Sequence, residues 1–548
     1  MSPIDRRQGF VLFAVAAILF LFGPAGCIQP DHWPGMDPRA SRITLNDLPP
    51  SLSQNSGKGA ELDPGKVEPR VQPVGDNLTL SLDQAIVMAL STNPGLRVRQ
   101  NNPVLASLEE QVQRGVFDPE LFLDLTFGTS KAKETDSGTG VWSMTRERTG
   151  SAVMGLSQKL PYGTLVEAGL GHNTDDTYDG PEEKEFRAGM TITQSLLRGF
   201  GSNVNLASVR QAELDTAASV HELRGFVEAF LADTESAYWD HVLAMQEIDI
   251  FEKSLEVARA QLSEVEQRIE VGTLPPIEAA AARAEVALRE QALIDARSTV
   301  EESRLKLLYF VHPGGENQFD ITVNPTTPAV FNKEADEAVA DRVRLADRLR
   351  PDLQEALLRI ENNDLETVKT RNGLLPRLDL FITLGKTGYA DSFSASFRAL
   401  TDTTHDLAAG IRFSQTLGNR TADALERSSR VSREQALQSV DNLRQIIHRD
   451  VRIALNDVDR AWQQIVATRV TRMHQEEALK AEQERFGVGS STGLLVAQAQ
   501  RDLLASHIRE KEAVINFRKA QLKLYLAEGS FLERRGVDIA ASGQGPLQ

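Results

Sequence analysis

Few of the side chains that usually do chemistry stand close enough in this sequence to do it together. The nine histidines are scattered, none sits in an HExxH motif, and Cys27 has no second cysteine for a zinc site or an intramolecular disulfide. His448-Arg449-Asp450 spells the start of a kinase catalytic loop. Asn456, however, falls one position too far along, and no glycine-rich phosphate loop or matching lysine strand goes with it. A solvated helix face explains these residues better. Gly199-Phe200-Gly201 is too short a glycine run to cradle a phosphate, and no βαβ pattern follows the strand before it, so it reads as a flexible joint between strand and helix. Glu and Asp abound, but no pair stands out as an acid/base dyad. The expectation is a protein that is not an enzyme and holds no metal or cofactor.

Composition narrows the classes further. With 77 acidic and 60 basic side chains in 548 residues the net charge is −17, which argues against a nucleic-acid partner. Aromatics are 6% and charged residues 25%, a balance suited to long, solvent-washed helices. Beyond the extreme N-terminus no apolar run reaches the roughly 18 residues a spanning helix needs, so any membrane crossing must be made by strands.

The first 26 residues read as an export signal: Arg6 and Arg7, an apolar stretch of about 13 residues, then Gly23, Ala25 and Gly26. Ala25-Gly26-Cys27 resembles a bacterial lipoprotein processing box, which implies a lipidated Cys27, although Pro24 stands where a branched apolar residue is usual. Residues 27–76 are proline-rich and have no apolar face to bury, so they read as a lipidated tether.

From residue 77 the sequence repeats itself. Pro119 precedes the alternating Leu121-Phe122-Leu123-Asp124-Leu125-Thr126-Phe127, and Pro376 precedes Leu378-Asp379-Leu380-Phe381-Ile382-Thr383-Leu384. Period two puts Leu121, Leu123, Leu125 and Phe127 on one face, and Leu378, Leu380, Ile382 and Leu384 on its counterpart. Ile192-Thr193-Gln194-Ser195-Leu196 and Phe413-Ser414-Gln415-Thr416-Leu417 each lead into a long helical pattern, which Val271-Gly272-Thr273 and Val488-Gly489-Ser490 later punctuate. From Gln194 to Gly272 is 78 residues and from Gln415 to Gly489 is 74, so the copies keep register to about one helical turn. Apolar residues at steps of three and four mark helices over about 203–269 and 421–486. Each would be about 100 Å long. Return helices over about 277–309 and 494–526 complete two antiparallel hairpins. Ser81-Leu82-Asp83-Gln84 opens a shorter helix that Asn93-Pro94 closes, and 351–372 is its partner in the second copy.

Leu82-Asp83-Gln84-Ala85 through Asn93-Pro94, Arg350-Pro351-Asp352-Leu353, the paired strands, Gln194-Ser195-Leu196-Leu197-Arg198-Gly199 and the glycine-turned hairpins together resemble the TolC-like outer membrane efflux protein family, over about residues 77–530. The resemblance implies a mainly α fold with a membrane β-barrel: a homotrimeric channel in which four strands per protomer make a shared twelve-stranded barrel that continues as a helical tunnel across the periplasm. It implies an outer membrane location in a Gram-negative-type bacterium, passive conduction of small molecules, and two partners, a periplasmic adaptor protein and an inner membrane transporter. The tips Val271, Gly272, Thr273, Val488, Gly489 and Ser490 would dock on the adaptor, and Glu278, Arg283, Gln498 and Arg501 would line a periplasmic constriction. The matching domains are 77–310 as first repeat, 311–349 as equatorial linker, 350–530 as second repeat and 531–548 as a disordered tail.

The first copy carries about 36 extra residues before its helices: from Pro119 to Gln194 is 75, from Pro376 to Gln415 only 39. They include alternating segments over 152–160 and 164–172 joined by Pro161-Tyr162-Gly163, a turn. The expectation is a hairpin extending the outer end of the strands; its inclusion in the wall would instead give six strands per protomer. Two other functions remain open from sequence: type I polypeptide secretion by the same kind of channel, and a periplasmic coiled-coil adaptor or scaffold whose strands form a small soluble sheet.

Overall fold

The computed structural model describes residues 77–135, 140, 142–177, 183–314, 318–330, 338–402 and 404–537. The signal and tether expectations, with Cys27, lie outside them. In chain order the elements are β1 (Asn77–Leu80), α1 (Leu82–Thr92), α2 (Pro94–Arg114), β2 (Glu120–Thr135), β3 (Trp142–Lys159), β4 (Thr164–Thr177), β5 (Glu183–Ser195), α3 (Ser202–Asn205), α4 (Ala207–Glu270), α5 (Ile277–Val311), β6 (Thr322–Pro325), α6 (Val339–Leu349), α7 (Pro351–Gly373), β7 (Arg377–Ala390), α8 (Phe393–Ala399), β8 (Asp406–Ser414), α9 (Arg420–Gly487), α10 (Gly493–Glu528) and α11 (Phe531–Arg535).

The duplication is visible in helix lengths. Helices α1, α2, α4 and α5 have 11, 21, 64 and 35 residues, and their counterparts α6, α7, α9 and α10 have 11, 23, 68 and 36. The second copy therefore opens at α6, which corrects the reading of 311–349 as a linker. Asn93-Pro94 and Arg350-Pro351 are each a break between consecutive helices rather than an end. At the first break, proline occupies the first helical position, where its missing N–H costs nothing, and the Asn93 side chain accepts from Gly95 N at 2.9 Å.

The chain divides into two compact units, one around the strands and one around the helical hairpins. In the helical unit, Ser81 and Gln84 exchange the reciprocal bonds of a capping box, at 3.2 and 2.9 Å, as the sequence predicts. β1 and β6 pair in parallel, from Asn77↔Thr322 to Leu80↔Pro325. Tyr238 staples them: its hydroxyl donates to Leu80 O and accepts from Thr327 N. His241 is tied off to Ser303 Oγ and Val323 O, both at 3.0 Å, which accounts structurally for one buried histidine. The main core joins β1, α1, α4, α5, β6 and α10 through Leu80, Ile86, Trp239, Leu308, Val323 and Leu522.

Phe531 and Leu532 of α11 complete that core at 0% and 3% exposure, so 531–537 are ordered structure, which corrects that part of the expected disordered tail; 538–548 lie outside the described residues. Their charged neighbours hold them there: Glu533 pairs with Arg224 at 2.6 Å, Arg534 with the fully buried Glu528 at 3.1 Å, and Arg535 with Glu235. Arg224 also pairs with buried Glu228 at 3.0 Å, so two carboxylates share one guanidinium. Burial, more than the Arg224 charge offsets, pushes the Glu228 carboxyl up to about 8. A carboxyl raised in the folded state stabilises it fully at low pH and loses that contribution as pH climbs towards 8. Thermal unfolding should show stability falling across pH 5 to 8 with a slope of at most about 1.4 kcal/mol per pH unit, and Glu228→Gln should flatten it. An unchanged slope in the variant would refute this assignment.

In the sheet unit, β2-β3-β4-β5-β7-β8 form one antiparallel sheet in that order. The inserted hairpin is β3 and β4, 18 and 14 residues long, and both are fully paired within the sheet. Its turn lies at the end where β5 leaves for the helices: Ser195 N donates to Gly163 O and Gly201 N to Tyr162 O. The expected outward extension is therefore corrected to six strands of one sheet in the described residues; 36 residues suffice for two more full passes. The joint at Gly199-Phe200-Gly201 is also tighter than the flexible link expected. Both glycines have φ near +90°, Gly199 N donates to Asn372 Oδ1 at 2.8 Å, and Asn205 Nδ2 donates to both glycine carbonyls.

Register assigns the faces, because directly paired residues in an antiparallel sheet point the same way. One row reads Leu121, Leu156, Ala168, Met190, Leu384, Leu407, one residue from each strand and all apolar. The adjacent row on the opposite face reads Phe122, Gly155, Gly169, Gly189, Gly385, Asp406. Beyond it, on that same face, lie Asp124, Val153, Gly171, Arg187 and Thr387. Arg187 reaches Asp406 at 3.2 Å across it.

Candidate functional site

The two hairpin reversals lie in the helical unit and are built alike. Gly272 has φ +77° and Gly489 φ +76°. At the first, Thr273 N donates to Arg268 O and Gly272 N to Ile269 O; at the second, Ser490 N donates to Arg485 O and Gly489 N to Phe486 O. These paired bonds are a Schellman motif, in which a left-handed glycine turns the chain while the last carbonyls of the helix stay satisfied. Thr273 and Ser490 add a side-chain bond to the same carbonyls, at 2.8 and 3.1 Å. The bonds that close these two helix ends thus come from the turns themselves.

What the turns leave outside is apolar. Val271 is 73% exposed and Val488 80%, with Ile277, Leu494 and Leu495 exposed close by in sequence. A Cβ on either turn glycine would meet nothing within 4 Å. The two hairpins touch here: Arg268 lies 5.3 Å from the centre of the Phe486 ring, and the Glu278 carboxylate approaches Gly493 closely enough that a Cβ there would sit 3.1 Å from it.

The four residues predicted to line a constriction do not form one cluster. Arg283 pairs with Glu266 of its own hairpin at 2.9 Å, Glu278 faces Gly493, and Gln498 is exposed. Arg501 makes an ion pair across the hairpins, from α10 to Glu285 of α5 at 3.8 Å. Glu285 is buried and pairs with buried Arg289 one turn on, at 2.5 Å. Sequence reasoning missed this Glu285–Arg289 pair. Its i,i+4 spacing is readable, but such pairs are usually solvated, and only packing shows that this one is buried. Among the described residues no group of three metal-ligating side chains occurs, and no helix is long and apolar enough to cross a membrane.

Residues 85–309 and 343–530 match the sequence profile described as outer membrane efflux protein. No curated protein sequence matches. Among solved structures, the outer-membrane channel OprN superposes with a TM-score of 0.63 at 16% identity, covering 82% of this chain and 90% of that one. VceC from Vibrio cholerae gives 0.62 at 16%, covering 82% and 96%, and CmeC from Campylobacter jejuni 0.61 at 15%, covering 84% and 90%. At such identity these likenesses speak for the fold.

Proposed function

The chain belongs to the outer membrane efflux protein family and is an outer membrane efflux channel; from that premise we propose that it works as a homotrimer whose helical hairpin tips dock on a periplasmic adaptor, so that an inner membrane transporter delivers small molecules into its lumen. The channel contributes a path and no catalysis. The observation that carries this reading is the pair of matched tips, with Val271 and Val488 held outward on hydrogen-bonded turns that need no other support. Valines exposed to 73% and 80% gain by meeting an apolar partner, at about 25 cal/mol per Å² covered. In cells, loss of this chain should raise accumulation of a fluorescent efflux dye as much as loss of its transporter does, and a plasmid copy should restore export. Normal export without the chain would count against the reading.

Within the tips, the Arg501–Glu285–Arg289 contact is the proposed constriction latch, because it ties the two return helices together with charges in a partly dry site. Arg501→Ala should admit vancomycin, which the outer membrane normally excludes, without lowering channel levels. Unchanged vancomycin resistance would remove Arg501 from the gate.

The N-terminal lipid anchor is proposed on Ala25-Gly26-Cys27. Buried acyl methylenes give about 0.8 kcal/mol each, and the barrel independently holds the chain in the membrane. Cys27→Ser should therefore lose palmitate labelling yet stay in the outer membrane fraction. A labelled band in the variant would refute the anchor.

A further inference from the structure

The inserted hairpin of β3 and β4 is the place where this chain departs from the four-stranded plan that its sequence resemblance implies. Three observations bear on where it sits. Both strands exceed the 9–11 residues that cross a bilayer obliquely, and their turn is bonded at the helix-proximal end of the sheet, so the hairpin runs the full height of the strands. The apolar row from Leu121 to Leu407 continues through Leu156 of β3 and Ala168 of β4 without a polar break, with Met154 paired to Leu170 beside it. Finally, the glycine row on the other face begins in the insert, as Gly155 and Gly169, and continues into Gly189 and Gly385 of the repeat strands. Glycines aligned across neighbouring strands are a device for bending a sheet, and here the bend would be shared by inserted and repeat strands alike.

Among the described residues the sheet has two free edges, β2 and β8. They carry apolar side chains on the same face, Leu121 to Phe127 on one and Leu407, Ile411 and Phe413 on the other. An open edge cannot persist in hydrocarbon. β2 runs away from the helical end and β8 returns to it, so β8 of one copy meets β2 of the next with antiparallel polarity.

We propose that β3 and β4 are part of the membrane wall in every copy, and that three copies join β8 to β2 to close a barrel of eighteen strands, three times six, where four-stranded protomers would give twelve. The proposal rests on the trimeric outer membrane reading above. Barrel diameter grows roughly linearly with strand number, so the bore in the membrane is about one and a half times that of a twelve-stranded wall. The lumen then carries the glycine row with Asp124, Glu167, Arg187 and Asp379, a polar surface with little side-chain bulk on the inserted strands. Phe122, set against Gly155, and Phe381, set against Gly410, are the large side chains on that face, while the inserted strands add width lined mostly by small or polar residues; the cargo this suits is hydrated.

Single cysteines placed in β3 and β4 of the full chain, in a Cys27→Ser background, test the placement. Outer membrane fractionation and heat-modifiable trimers are measured first. Val153→Cys should react with a membrane-impermeant maleimide, while Met154→Cys and Leu170→Cys should react only with a lipid-soluble one. Equal reaction of all three with the impermeant reagent would put the hairpin outside the bilayer and overturn the proposal. Electron cryo-microscopy of the wild-type trimer should count eighteen strands, and twelve would overturn it. A chain absent from the outer membrane would overturn this proposal together with the trimeric reading, and fractionation tells that failure from a misplaced hairpin in an intact channel.

Discussion

Leu123→Arg is expected to abolish the trimer in the outer membrane, while Asp124→Arg one position along leaves it assembled. The two residues are neighbours on β2 but belong to opposite faces: Leu123 pairs with Met154, and Asp124 pairs with Val153 in the register that leads on to Gly171, Arg187 and Thr387. Leu123 is 61% exposed in the single chain, which is where lipid must cover it. An arginine on the lipid face near mid-bilayer costs about 2–4 kcal/mol, and each trimer would carry it three times. The same arginine at 124 hydrates in the lumen and joins a row that already holds Arg187. Heat-modifiable trimer measured in the outer membrane fraction decides the matter. Equal tolerance of both variants would overturn the assignment of faces.

The second large effect is expected at the hairpin tips. Valine at Gly272 and Gly489 together should leave trimers at near normal levels while dye export fails. The glycines adopt φ of +77° and +76°, where a side chain with a Cβ is strained by about 1–2 kcal/mol and a β-branched one more. The space around both glycines is open to 4 Å in the direction a Cβ would take, so the substitution displaces no packing and its strain stays in the turn. The Schellman bonds to Arg268 and Arg485 would be lost or distorted, and Val271 and Val488 would be presented differently to the adaptor. Full export in the double variant would make these turns plain connectors, and loss of the trimer would move their role from docking to folding.

How far the sequence was legible depended on the range of the signal. The two-residue alternation at Leu121 and Leu378 and the three-four spacing of the long helices are local, and both elements are where those periods place them. The glycine turns were legible for the same reason: only glycine takes positive φ without strain, and each follows a long helical pattern. α2 was missed because Pro103 interrupts it, so the apolar steps Val104, Leu108 and Val112 that follow make too short a run to mark it, and Leu96 is its one buried residue. The short helix at 531–535 was missed because its burial comes from partners far away in sequence, Arg224 and Glu235 among them. The inserted strands were recognised as strands, but their place in the sheet was decided by pairing with β2 and β5, which no period encodes. Of the four residues that the resemblance put at a constriction, Arg501 contacts the other return helix, and the Glu285 and Arg289 it meets there went unnoticed, because a charge pair on a helix reads the same whether dry or wet.

The trimer is proposed as a passive path through a membrane, closed only where the Arg501–Glu285–Arg289 latch holds it, with nothing driven by its own chemistry. Purified Arg501→Ala trimer, with that latch removed, reconstituted into planar lipid bilayers should produce discrete, ohmic conductance steps with no nucleotide, adaptor or transporter present. Bilayers that stay electrically silent, although protease protection shows the trimer inserted through its strands, would contradict it.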